Sequence, residues 1–344
     1  MPLTVVVGGQ FGSEGKGKIA HYLAREQEAD IAVRVGGPNS GHTVVDEDGT
    51  SLVFQLLPTA ALLPNVCCVL AAGSYIKLDV MMEELASTNI SSERLVIDPN
   101  AMIITSEFED CEHQLALGSR IGSTESGTGA AVLKRVARAS KSYLASKVAD
   151  LHEFVRPTVP LMRSALDKRA RIIIEGTQGF GLSLLHSSHY PFVTSRDTSA
   201  AGFVSEVGLS PFDVDDVVMV LRSFPIRVGG HSGPLPREID WDTVTKESGS
   251  TQPVIEYASV TRRLRRVARF DPAVILRAIN VNRPSTLVLN HLDHVDAECR
   301  DATVLSQEAI TFVEQVESSI DQPVDLFGTG PSLVVPRSVA IGEH

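Results

Sequence analysis

Aromatic side chains are scarce: the 344 residues hold one Trp, five Tyr and 12 Phe. Few flat surfaces are therefore available on which unpaired bases could stack. Basic residues are also in deficit, 31 Lys and Arg against 42 Asp and Glu, and an acidic chain is a poor partner for a phosphate backbone. Both shortages argue against nucleic acid as the partner. Cysteine is limited to Cys67, Cys68, Cys111 and Cys299, with no C-x-x-C pair and no His/Cys spacing suited to zinc. A reducing compartment is the expectation. No apolar run reaches the roughly 18 residues of a membrane span; AALLPNVCCVLAAG is short and broken by Pro64 and Asn65. The start, MPLTVVVGG, has no basic region ahead of an apolar stretch, which leads to the expectation of a soluble, cytoplasmic protein without a secretory signal. Gly (26) and Pro (18) are present at ordinary levels, so collagen-like and low-complexity readings fall away.

What is present is an alternation of apolar strands with glycine-rich loops. Leu3 to Val7 is a β-branched run stopped by Gly8 and Gly9, the pattern of a buried parallel strand, and Ile19, Ala20, Tyr22 and Leu23 then follow helical spacing from about Gly17. IAVRV (31–35) predicts a second strand before the loop GGPNSGH (36–42), and TVVDEDGTSLVFQL alternates on both sides of Asp48-Gly49 as a hairpin does. RIIIEG (171–176), VVMVLRSF (217–224) and STLVLNHLD (285–293) predict further buried strands. Ala130 to Leu151 predicts one long amphipathic helix with a basic face. The expected fold is α/β, a mainly parallel central sheet with helices on both faces, in one elaborated domain over residues 1–344.

The loop from Gly9 to Lys18 is the strongest local signal. Its glycines let backbone N–H groups approach oxyanions, Lys16 and Lys18 supply charge, and a helix N-terminus follows. It fits neither G-x-x-x-x-G-K-[ST] nor G-x-G-x-x-G, and an ordinary tight turn is the alternative. Asn39-Ser40-Gly41-His42 occupies the loop after the second strand, at the sheet edge where ligands of open α/β sheets bind. Ile121 to Gly127 is rich in hydroxyls, and Gln178 follows the strand RIII with an amide able to meet a heterocycle edge. TRRLRRVAR (261–269) carries five arginines, whose forks clamp carboxylates and phosphates; strand-like spacing would put Arg263 and Arg265 on one side.

Taken in order, GGQFGSEGKGK, GGPNSGHTVV, IGSTESGTG, EGTQGFGLSL, YPFVTS, SFPIRVGGHSGPLP, EYASVTRRLRR, NHLD and GTGP resemble the adenylosuccinate synthetase family across nearly the whole chain. The resemblance implies a carbon–nitrogen ligase on a fold related to P-loop NTPases. Such a ligase joins aspartate to carbon 6 of a purine nucleotide through a 6-phosphoryl intermediate, with Mg²⁺ and a homodimeric site. It also implies roles by position. Gly12, Ser13, Glu14, Gly15, Lys16, Gly17 and Lys18 would hold the triphosphate with Gly41, His42, Thr43 and Arg265, while Asn290, His291, Asp293, Gly328, Thr329, Gly330 and Pro331 would surround the donor base. Ser13, Lys16, Asn39, Ser40, Ser123, Thr124, Gln178, Thr194 and Arg263 would bind the acceptor nucleotide, with Arg138 reaching its phosphate from the partner subunit. Ser259, Val260, Thr261, Arg262 and Arg263 would bind aspartate. Ser13, His42 and Gln178 would be catalytic, His42 as the acid at the transferred phosphoryl group, and Ser13 with the Gly41 carbonyl would hold Mg²⁺.

The departures are as informative. The family pattern G-D-E-G-K-G-K has become Gly12-Ser13-Glu14, and a serine hydroxyl cannot take a proton at neutral pH without a base of its own. His291 replaces a lysine and Arg269 a tryptophan, and Thr261-Arg262-Arg263-Leu264-Arg265-Arg266 stands for T-G-R-R-R-R. A smaller Ser13 leaves room beside N1 of a purine, where guanine carries its 2-amino group. That pattern is similar to phage relatives that join dGMP and aspartate with ATP or dATP as donor, giving N6-succino-2-amino-2′-deoxyadenylate for diaminopurine DNA; such a chain would work in the host cytoplasm. The alternatives are a conventional synthetase using IMP, aspartate and GTP, and a non-catalytic nucleotide-binding protein. Glu14, a water held by Ser13, or the phosphate itself are the candidates for removing the N1 proton.

Overall fold

The computed structural model describes residues 3–46, 48–259 and 262–342. Its centre is a nine-stranded sheet. Across the sheet the strands run Val334–Pro336, Leu326–Gly328, Thr286–Asn290, Val214–Arg222, Leu3–Gly8, Ile172–Glu175, Ile31–Arg34, Cys67–Leu70 and Leu95–Ile97. Eight are parallel, and Val334–Pro336 alone pairs antiparallel. Burial on both faces explains their unbroken Val, Ile and Leu composition. Every residue of Leu3–Gly8 and of Ile172–Glu175 is buried, and helices cover both faces of the sheet through cores around Val5, Phe203 and Met219 on one side and Val6, Ile19 and Val218 on the other. The α/β expectation is met.

Because the strands run in one direction, their carboxyl ends deliver six connecting loops to one edge. The loops after Leu3–Gly8, Ile31–Arg34, Ile172–Glu175, Val214–Arg222, Thr286–Asn290 and Leu326–Gly328 all open there. The expected hairpin forms from His42–Val45 and Ser51–Phe54, paired antiparallel, and sets His42 at the same edge.

The long basic helix expected over 130–151 does not form. The helix is Thr128–Val136, and Arg138 in a left-handed conformation (φ 54) terminates it. Three short 3₁₀ turns, Lys141–Tyr143, Ala145–Lys147 and Ala149–Leu151, carry the chain onward. Ala130 and Ala131 face inward, whereas Leu133 and Val136 are 64% and 70% exposed. The 3.6-residue periodicity was therefore produced by two unrelated structures read through one another.

The glycine loop after the first strand is locked by close approach. Gly15 has φ 91, and a Cβ there would stand 2.6 Å from Asn290 Nδ2, which itself donates to the Glu14 carbonyl at 2.7 Å. Gly15→Ala is expected to lower folding stability by about 2–3 kcal/mol, from left-handed strain plus displacement of Asn290. Gly230→Ala, at φ 89 with nothing within 4 Å of its Cβ, carries only the strain, about 1–2 kcal/mol. Urea denaturation of both variants measures the difference.

Candidate functional site

The loops at the carboxyl edge enclose a cleft of about 380 Å³. Nineteen of the residues singled out from sequence line it. From the first loop and helix come Gly12, Ser13, Gly15, Lys16, Gly17 and Lys18; from the second loop, Asn39, Ser40, Gly41, His42 and Thr43. Thr124, Gln178, Ser259, Arg265, His291, Asp293, Gly330 and Pro331 complete the set. The first helix, Lys16–Glu26, starts in this wall with no side-chain cap among the described residues, so its leading amides and dipole face the cleft. Together with Lys18 they suit an anion.

The other singled-out residues lie elsewhere, each for a physical reason. Glu14 is fully buried under its own loop: Oε1 accepts from Gln10 N and Gly12 N at 3.1 and 2.8 Å, and Oε2 from Lys16 Nζ at 2.6 Å. Its carboxylate shapes the loop and does not reach the cleft, which removes it as a proton acceptor for a ligand. Asn290 and Thr329 are buried and face protein groups, Asn290 the Glu14 carbonyl and Thr329 Oγ1 the Ala302 carbonyl at 2.8 Å. A Cβ at Gly328 would lie 1.8 Å from Asn290 Oδ1, so this glycine permits the packing behind the loop. Ser123 Oγ accepts from Glu125 N at 3.1 Å, and Thr194 N donates to the Leu182 carbonyl at 2.8 Å.

Arg138 is exposed beyond the end of its helix and does not line the cleft of its own chain. Arg262 and Arg263 are exposed and do not line the cleft, and Val260 and Thr261 lie outside the described residues. Arg263 and Arg265 do not share a side: Arg265 turns in to Glu256 at 2.6 Å while Arg263 faces out, because only Arg266–Ala268 is strand. The arginine run is not a free basic patch, since Arg265, Arg266 and Arg269 are paired with Glu256, Glu238 and Glu247.

The hydroxyl-rich loop leads into a helix start that is capped from within. Glu112, buried, accepts from Gly127 N, Gly129 N and Ala130 N at 2.9, 2.6 and 3.1 Å, so these three amides at the start of Thr128–Val136 are already satisfied. What remains for a ligand is the hydroxyl series, with Thr124 to Ser126 at 3.3 Å and Ser126 to Thr128 at 3.1 Å.

Sequence reading missed four charged residues that organise the cleft. Arg34, Glu175 and Arg222 end three of the buried strands, and Glu256 lies opposite. Arg222 is fully buried; its Nη1 donates to the Ser13 carbonyl at 2.9 Å, and its guanidinium pairs with Glu256, which Arg265 engages from the other side. Glu175 Oε1 accepts from Arg34 Nη1 at 2.6 Å and from His42 Nδ1 at 2.5 Å, and Oε2 from Thr59 N at 2.8 Å. A charged residue closing an otherwise apolar strand was the available signal. Glu256, His291 and His294 also approach one another closely enough to suggest a cation site. Two guanidiniums already hold the Glu256 carboxylate, and their charge opposes a metal ion there.

Burial and the neighbouring cations Arg34 and Lys16 push the His42 ring down to about 3, against the opposing pull of Glu175. Burial alone would raise Glu175, but Arg34 and the His42 hydrogen bond hold it at about 2. At neutral pH the carboxylate is ionised and the imidazole neutral, with its proton on Nδ1. His42 thus donates through Nε2 only after taking up a proton.

The sequence profile of the adenylosuccinate synthetase family matches residues 5–143 and 139–298. The adenylosuccinate synthetase of Methanococcus aeolicus is 36% identical over 343 residues, covering 97% of this chain and 98% of its own. This chain belongs to the adenylosuccinate synthetase family. The synthetase of Methanocaldococcus jannaschii is likewise 36% identical, over 96% of this chain and 94% of that protein. Among solved structures, the succinoaminodeoxyadenylate synthetase of cyanophage S-2L, bound to dGMP and to dATP as an energy donor, has a TM-score of 0.80 at 29% identity, covering 96% of this chain and 93% of that one. Fully ligated adenylosuccinate synthetase from Plasmodium falciparum has a TM-score of 0.85 at 21% identity over 98% and 100%, a likeness of fold. As a family member the chain is a carbon–nitrogen ligase of purine biosynthesis. Among the described residues no helix is long and apolar enough to cross a membrane.

Below pH 6.5 the unfolded chain protonates His42 while the folded chain resists until about 3. The depressed value contributes stability above pH 6.5 that is lost as pH falls toward 3, at up to about 1.4 kcal/mol per pH unit. The urea midpoint is expected to drop across this window, and His42→Gln to flatten the drop.

Proposed function

We propose that this ligase condenses dGMP with L-aspartate, using ATP or dATP, to give N6-succino-2-amino-2′-deoxyadenylate. The observation that carries the reading is Ser13: it lines the cleft between Gly12 and the helix N-terminus, where the family motif has a carboxylate. The described lining residues include only two carboxylates, Glu256 and Asp293. Glu256 is bridged by two arginines, and Asp293 belongs to the donor-base segment. A hydroxyl at position 13 leaves space and no negative charge beside N1 and the 2-amino group of a guanine. The cyanophage S-2L relative, solved with dGMP and dATP, supports this acceptor and this class of donor.

In the proposed reaction O6 of dGMP attacks the γ-phosphorus, the bond to the leaving diphosphate breaks, and the amine of aspartate then displaces phosphate from carbon 6. The helix N-terminus, Lys16 and Lys18 stabilise the phosphate oxygens. His42 stands at the transferred phosphoryl group, whose charge offsets Lys16 and Arg34 and favours a proton on Nε2. Thr124, Asn39, Ser40 and Gln178 bind the acceptor, and Arg138 of a second copy reaches its phosphate in a homodimer. Ser259 with Arg263 binds aspartate. With Glu14 sequestered, the N1 proton passes to a water held by Ser13 or to phosphate. The Ser13 hydroxyl and Gly41 carbonyl are hard oxygen donors that, with phosphate and water oxygens, suit Mg²⁺. When bound, Mg²⁺ supplies charge neutralisation at the phosphates.

The second reading, conventional adenylosuccinate synthesis from IMP and GTP, is favoured by the 36–37% identity to archaeal enzymes of that name. Phosphate release with aspartate and Mg²⁺ separates the two. Turnover with dGMP and ATP and not with IMP and GTP is expected; the reverse selectivity overturns the proposal. Ser13→Asp is expected to reduce kcat/KM for dGMP by about 10-fold or more, through lost space and added negative charge, and steady-state kinetics of the variant check it.

A further inference from the structure

Glu175 has all four of its lone-pair positions engaged. Arg34 Nη1 and His42 Nδ1 meet Oε1 at 2.6 and 2.5 Å, and Thr59 N and Oγ1 lie 2.8 and 2.9 Å from Oε2. A guanidinium and a backbone amide can only donate, so the carboxylate is fixed from both oxygens independently of the imidazole. The remaining position on Oε1 then accepts a proton from Nδ1 and nothing else. The helix start whose leading residues line the cleft lies against His42, since a Cβ on Gly17 would stand 2.7 Å from His42 Cβ. With Nδ1 committed to Glu175, the ring atom left for a ligand in the cleft is Nε2.

We infer that Glu175 is a positioning residue for the reaction: it holds His42 in one tautomer and one orientation, so that Nε2 is presented to the transferred phosphoryl group. The inference rests on the reading of His42 given above. Two jobs are divided between the partners of Glu175. Arg34 neutralises and anchors Glu175, a contribution to folding; the Glu175–His42 contact acts only through the imidazole, a contribution to turnover. Gln at position 175 keeps the size but has one acceptor oxygen where two sets of obligate donors require two, so its NH₂ group must oppose either Thr59 N or the Arg34 and His42 pair.

The test combines kinetics with a direct reading of the tautomer. Glu175→Gln, His42→Gln and the double variant are compared by phosphate release with aspartate, Mg²⁺ and whichever nucleotide pair the wild type turns over. Glu175→Gln is expected to lower kcat by about 10- to 100-fold with nucleotide KM values within about threefold, as supporting residues behind a reacting group do. The double variant is expected to be no slower than His42→Gln alone, because two residues acting through one group are not additive. A Glu175→Gln enzyme with kcat within about twofold of wild type, or costs that add in the double variant, overturns the inference. If Glu175→Gln does not fold, the ¹⁵N spectrum of the histidine-labelled wild type still decides it, with the His42 signals assigned by their loss in His42→Gln. Protonated Nδ1 with unprotonated Nε2 is the expected pattern, and the opposite tautomer overturns the inference. Unchanged kcat in His42→Gln would instead remove the role assigned to His42 itself, and Glu175's positioning role with it.

Discussion

Charge placed at the buried ends of adjacent parallel strands is the constraint around which the cleft is built. Arg34 and Glu175 are register partners on neighbouring strands, and Arg222 closes the strand on the far side of Leu3–Gly8. Such groups are stable under the loops only when paired, since an uncompensated buried ion costs several kcal/mol. The pairing dictates what lies above. Glu175 requires Thr59 at its second oxygen, which brings the turn after the hairpin onto the sheet edge, and His42 then meets its first oxygen. Arg222 requires Glu256 and the Ser13 carbonyl, which ties the arginine-rich segment to the glycine loop. Three distant stretches of chain are thereby registered to one another by electrostatics, with the apolar core below setting only the height of the platform.

Much of this was legible in sequence because each signal was local. Strands such as Leu3–Gly8, Ile172–Glu175 and Thr286–Asn290 declare themselves by unbroken branched side chains, and the Asp48-Gly49 hairpin by its alternation. The glycine loops and their motif order carried the family. What failed depended on partners far along the chain. Glu14 reads as a cleft carboxylate until its bonds to Gln10, Gly12 and Lys16 are seen, and Arg263 and Arg265 read as a matched pair until Glu256 claims one of them. The helix expected over 130–151 failed because periodicity cannot register a left-handed residue such as Arg138.

The electrostatics also reconcile an acidic chain with a nucleotide cleft. The net charge of −11 is a property of the whole sequence. The cleft, by contrast, is lined by Lys16, Lys18, Arg265 and Arg300, with Glu256 and Asp293 as the lining carboxylates among the described residues. A small anion experiences the local field at contact, whereas a long polyanion meets the whole surface. A cleft of this kind suits a nucleotide whatever the net charge of the chain.

Glu14 has a further consequence. A carboxylate folded beneath its own loop occupies the amide and ammonium donors from inside, so the curvature of the glycine segment is set during folding and does not wait for a nucleotide to impose it. Loops of this kind commonly lose conformational freedom when they close on phosphate, and that loss is subtracted from affinity. Here the ordering has been moved to an earlier event, the acquisition of tertiary structure. At Gln10, Gly12 and Lys16 the shape of the receiving backbone is held by a bond inside the fold.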